Sequence, residues 1–156
     1  MNEAEKYDAF IKRLEEIYPR AMRNVYCGIS INEGWYHIVT LLVHHMHSHI
    51  SWMRTQRAKA LRKRRAGEDV DLPEKVHHIE IHQIKEKFGG LRFYYEGGDD
   101  YCSGLEAMAE AWANRTCEVC GEAGRQRSGG WIRTLCDKHE ADHQEKNKKF
   151  SDEYYA

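Results

Sequence analysis

Apolar residues recur at helical spacing in the first eighteen positions: Tyr7, Phe10, Ile11, Leu14, Ile17 and Tyr18 fall on one face. Asn2 stands where a cap is needed, and Glu5, three residues on, supplies the reciprocal partner. The pattern predicts a helix over about residues 3–18, ended or bent by Pro19. After a loop around Cys27-Gly28, a longer stripe of Trp35, Ile38, Val39, Leu42, Met46, Ile50 and Met53 predicts a helix over 33–65, capped by Asn32 and packed on the first helix. Gly67 and Pro73 break it, leaving 66–75 as a surface loop. The period then falls to two. Ile79 and Ile81, and the Phe93-Tyr94-Tyr95 run, predict strands within 76–96. Gly89-Gly90 reads as a two-residue turn that sets Phe88 opposite Leu91 and Lys87 opposite Arg92. Gly97 to Asp100 reads as a loop. Ser103 and Glu106 form a capping-box pattern for a third helix over about 103–114, with Leu105, Met108, Ala109 and Trp112 facing inward.

Beyond residue 115 the apolar pattern thins and ligand chemistry takes over. Cys117, Cys120, Cys136 and His139 read Cys-x2-Cys, fifteen intervening residues, Cys-x2-His. Thiolate and imidazole are ligands zinc prefers, and two ligands two residues apart can bind one ion from a single tight turn. Four protein ligands fill a tetrahedral shell, so the site reads as one structural zinc. Gly124–Ser128 and Trp131–Leu135 read as a second hairpin, turned at Gly129-Gly130. Asp137–Phe150 is free of Pro and Gly and reads as a helix with Cys136 and His139 at its first turn. Knuckle, hairpin and helix together make a treble-clef-like finger. His143, one turn beyond His139, is an alternative fourth ligand.

Composition narrows the classes. The chain has 156 residues, 31% charged and 41% hydrophobic, as in an ordinary globular protein. Its net charge of -1 recruits nucleic acid through no global field, so any such role falls to local clusters. No apolar run is long enough for a membrane helix, and the acidic, polar start does not resemble a leader. Unpaired thiols fit a reducing, cytoplasmic setting. The densest basic stretch holds Arg54, Arg57, Lys59, Arg62, Lys63, Arg64 and Arg65 without an acid among them. Their mutual repulsion suggests phosphate as a partner, while cations at a helix C-terminus also suit its dipole. On the hairpin, Lys85, Lys87, Arg92 and Tyr94 share one face, a workable surface for a base and its phosphate.

Ten histidines are present. His45 and His49 lie one helical turn apart, and His78, Glu80 and His82 alternate on a strand. A second metal site between helix and strand is one reading, and packed or surface histidines are the other. The His-Glu-x2-His pattern of metalloproteases, nucleotide-binding glycine loops and serine elbows do not occur in the chain.

Two blocks, IHQIKEKFGGLRFYYEGG (Ile81 to Gly98) and RTCEVCGEAGRQRSGGWIRTLCDKH (Arg115 to His139), resemble a family of small bacterial and bacteriophage proteins without an assigned activity. The stretch around Cys27, Gly28, Gly34 and Trp35 is similar to that family's N-terminal part. The resemblance implies a shared zinc-bearing fold and a phage or prophage setting, and it brings no catalytic residues.

The expected fold is α+β: a body over 1–114 whose helices flank a β-hairpin, and a treble-clef-like zinc finger over 115–150 packed on it. The expected function is a non-enzymatic, zinc-stabilised protein that contacts nucleic acid through Arg54, Arg57, Arg62, Arg64 and Arg65 and through Lys85, Lys87, Arg92 and Tyr94. Two alternatives stand beside it. One is a phage accessory protein that inhibits a host protein or sequesters a phosphorylated signalling nucleotide. The other is a metal-dependent hydrolase or nuclease using the histidines. An exposed aromatic face on the hairpin would also suit a dimer.

Overall fold

The structure, a computed structural model, describes residues 1–155. The first helix, α1 (Glu3–Ile17), begins as its sequence predicts. The Asn2 side chain accepts from the Glu5 amide at 2.9 Å, and the Glu5 carboxylate accepts from the Asn2 amide at 2.8 Å. Pro19 does more than stop it: it opens a one-turn helix, α2 (Pro19–Met22), at a position that needs no amide donor. A strand that periodicity did not reveal follows. β1 (Ile29–Ser30) runs parallel to β2 (His77–Lys87), with Ile29 opposite Ile84 and Ser30 opposite Lys85.

A 3₁₀ turn over Glu33–Trp35 leads into α3 (Tyr36–Arg65). Asn32 does not cap it with its side chain. That amide donates instead to Glu118 at 3.2 Å. The stripe of α3 is buried as expected at Trp35, Ile38, Val39, Leu42, Met46 and Ile50. It packs against β2 and a later helix, and meets α1 chiefly through Phe10, whose ring stacks on Tyr36 with centroids 4.2 Å apart.

The hairpin is β2 (His77–Lys87) and β3 (Gly90–Gly98), giving a sheet in the order β1-β2-β3. Its register differs from the Gly-Gly reading. Lys87 faces Gly90, Lys85 faces Arg92, and Phe88-Gly89 form the turn with φ of 53° and 74°. Positive φ at both central residues is what a type I′ turn requires. The shift is two residues along one strand, so the faces are unchanged. Ile84, Leu91 and Phe93 are buried, while Phe88, expected on that apolar face, sits exposed at the tip. β3 extends through the expected loop to Gly98. Helix α4 (Asp100–Ala113) then starts three residues earlier than Ser103 would place it, because Asp99 caps it by accepting from the Cys102 amide at 3.1 Å.

The last third forms β4 (Arg125–Arg127), β5 (Arg133–Leu135) and α5 (Asp137–Tyr155). Arg127 pairs with Arg133, so the connection spans Ser128 to Ile132 and Gly129-Gly130 is not a tight turn. Among the described residues no helix is long and apolar enough to cross a membrane.

Candidate metal centre

The Cys117–Cys120 knuckle is closed by backbone bonds. The Gly121 amide donates to the Cys117 carbonyl at 2.9 Å, and the Cys117 amide donates to Glu122 at 2.7 Å. Gly121 takes φ of 80°, which lets the chain turn back under the sulfurs. Across from it, Cys136 ends the approach from β5 and its carbonyl accepts from Glu140 at 3.0 Å, so His139 projects from the first turn of α5. The four ligand atoms lie within 4.8 Å of one another, close enough to hold one metal ion. His139 Nδ1 is 3.2 Å from Cys136 Sγ and 3.5 Å from Cys117 Sγ, and Cys120 Sγ is 3.9 Å from Cys136 Sγ. Burial raises the Cys117 thiol, but the amides of Cys136, Cys120 and Val119 outweigh it and bring the group down to about 7. Burial and the neighbouring sulfurs push Cys120 up to about 11.

His143 is outside the cluster; its Nε2 meets the Asn147 side chain at 3.1 Å. The other histidines do not gather either: among the described residues, the cysteine site is the one group of three or more ligands. His49 bonds Asp99 at 2.7 Å, His44 meets the Tyr18 hydroxyl at 3.1 Å, and His82 lies 3.8 Å from Glu96.

The cluster sits where the last third meets the body. Gly34 donates to the Glu118 carbonyl at 2.9 Å, and the buried Trp35 indole donates to the Thr116 carbonyl at 2.9 Å. The hairpin tip enters from the other side: Thr134 Oγ1 donates to the Gly89 carbonyl at 2.6 Å. At the centre is Glu118, 3% exposed, which accepts two bonds from Arg133 at 2.6 and 2.8 Å. Sequence reasoning passed over Glu118 and Thr134, because their partners lie far along the chain.

The basic residues fall into two separate groups. Arg54, Arg57 and Arg64 donate to the carbonyls of Val76, Pro73 and Val70, pinning the 66–76 loop along α3. Arg62 and Arg65 are exposed beside them. Lys85, Arg92 and Tyr94 lie on the open face of the sheet, with Lys87 exposed near the tip. The Lys85 ammonium stands 5.4 Å above the Tyr94 ring, and Arg92 reaches Glu110 at 3.8 Å. The hairpin tip lies against the metal site, while Arg57 reaches Pro73 at the opposite end of the sheet. From Val76, which Arg54 holds, to Lys85 the chain rises roughly 30 Å at about 3.3 Å per residue, so the two groups stand at opposite ends of the sheet. The arginines of β4 and β5 are engaged internally: Arg125 and Arg127 meet Asp137 at 3.2 and 2.7 Å. No protein-family model matches the chain, and neither the curated proteins nor the solved structures yield a match.

Proposed function

We propose that the chain is a non-enzymatic binding protein, that zinc is the ion held by Cys117, Cys120, Cys136 and His139, and that the open sheet face contacts nucleic acid. Zinc suits the donor set. With Zn–S near 2.3 Å and Zn–N near 2.0 Å, a tetrahedron places sulfurs about 3.8 Å apart and sulfur about 3.5 Å from nitrogen. The 3.9, 3.5 and 3.2 Å separations match that scale. Four protein ligands would complete the shell, so the ion would fasten the treble-clef-like finger to the body instead of presenting an open position to substrate.

The observation that carries the binding role is the direct opposition of Lys85 and Arg92 across β2 and β3. Like charges directly opposite destabilise a sheet; Glu110, 3.8 Å from Arg92, offsets part of that cost, and a phosphate between the two cations would relieve the rest. Exposed Tyr94 and Phe88 flank them, the second held at a positive φ that a bulky side chain seldom adopts. Aromatic rings interleaved with cations suit an unpaired strand, where bases stack and phosphates pair. The test is fluorescence anisotropy with a labelled oligothymidylate across a salt series. Two or three phosphate contacts give a log–log slope of about -2, and the Lys85→Ala/Arg92→Ala double variant loses about 1 to 1.5 of it. Salt-insensitive binding, or a double variant that binds like the parent, contradicts the assignment.

A further inference from the structure

A second concave site, unrelated to the cysteines, lies between α2, α3 and the start of β2. Its volume is about 270 Å³. Ile17, Pro19, Ile50 and Ile79 form an apolar floor. The polar lining is cationic in kind: Arg20 from α2, His47 from α3 and His78 from β2, with no carboxylate among the lining residues. The side chains of these three make no hydrogen bond or ion pair among the described residues; the His47 ring leans on Tyr18 with centroids 5.3 Å apart. Arg54, also on α3, adds positive charge, and burial together with Arg54, Arg20 and His47 holds His78 below its ordinary value. The nearest acid on β2, Glu80, is already taken by Arg23 and Asn24.

Arg20 brings a charge to a concave apolar surface whose lining holds no carboxylate, and the two imidazoles add polar atoms beside it, so the site remains open to an anion. We infer that this cavity binds a small organic acid, with its apolar body on Ile17, Ile50 and Ile79 and its carboxylate among Arg20, His47 and His78. The volume lies just under the roughly 300–1,000 Å³ of drug-sized sites, so a ligand of about ten heavy atoms fits. A bare phosphate would leave the floor uncovered, and a neutral alcohol would leave the donors unpaired.

Methyl NMR of the isoleucines in the full, metal-loaded chain tests this, with octanoate, inorganic phosphate and 1-octanol titrated separately. Octanoate is expected to shift the Ile50 and Ile79 methyls saturably with Kd at or below about 1 mM, and to bind at least tenfold more tightly than either of the others. Arg20→Ala, a change at an exposed position, weakens it about tenfold, the loss of one charge-assisted hydrogen bond. The proposal is overturned if no isoleucine methyl shifts saturably, if phosphate matches octanoate, or if Arg20→Ala and His78→Gln both bind like the parent.

Discussion

A carboxylate as enclosed as Glu118 persists only because its oxygens are used. Arg133 donates twice, Asn32 donates at 3.2 Å, and the Thr134 amide approaches at 3.4 Å. Glu118→Gln keeps the shape and removes the charge, leaving a half-buried guanidinium unpaired. It should lower the free energy of unfolding in urea by about 2–3 kcal/mol, below the full value for a deeply buried pair because Arg133 is partly exposed. Two glycines separate conformation from space. Gly28 has φ of 77° and nothing near its would-be Cβ, so Gly28→Ala should cost about 1 kcal/mol. Gly34 would place a Cβ 2.1 Å from the Cys117 carbonyl and 2.6 Å from the Glu118 backbone. Gly34→Ala should therefore cost at least about 3 kcal/mol and weaken metal retention, measured by thermal unfolding with and without chelator. The Cys/His cluster is legible in the sequence because its chemistry and spacing are local. Glu118 and Gly34 are not, since their roles rest on partners far away in the chain.

At the scale of elements, capping and periodicity read α1 and the stripe of α3 well, because both signals lie within one turn of the residues they govern. β1 escaped because a two-residue strand has no period, and its partner strand lies fifty-five positions downstream. Reading both glycines as turn formers places the hairpin turn one residue too late. Gly89 does occupy a turn position, but a Cβ there would also meet Ile132 at 2.9 Å, and Gly90 is small because Arg92 and Asn114 crowd it at 3.0 and 3.1 Å. Packing against the neighbouring elements, invisible locally, selected glycine and moved the turn onto Phe88. Phe88→Asn should then stabilise the fold by about 0.5–1 kcal/mol, since asparagine tolerates the left-handed region better. The same change should weaken oligonucleotide binding if the ring stacks on a base. Thermal unfolding and anisotropy on one sample check both.

For the whole molecule, the last third is tied to the rest of the chain through Glu118, Trp35 and the hairpin tip, so loss of an ion bound at the cluster should be felt beyond the cysteines. Acid should act in two stages. His78 in the folded chain sits below its ordinary 6.5, chiefly through burial. The unfolded chain takes up that proton first, so this stability is present above about pH 6.5 and is lost as the pH falls below it. The urea midpoint should drop from about pH 7 to 5.5, and His78→Gln should flatten that drop. Asp99 adds a second loss of the same sign at lower pH. Burial would raise it, but His49 and the Cys102 amide hold it below its ordinary 3.8, so its contribution is present above that value and lost beneath it. Both effects are separate from the cysteine cluster, for which the central claim is one ion with a complete protein shell. Zinc K-edge X-ray absorption of the purified chain, normalised to metal content, tests that claim most directly. One zinc per chain with three sulfurs near 2.3 Å and one nitrogen near 2.0 Å is the predicted result. Substoichiometric zinc, or a shell that includes a water oxygen in place of one of these four ligands, would contradict it.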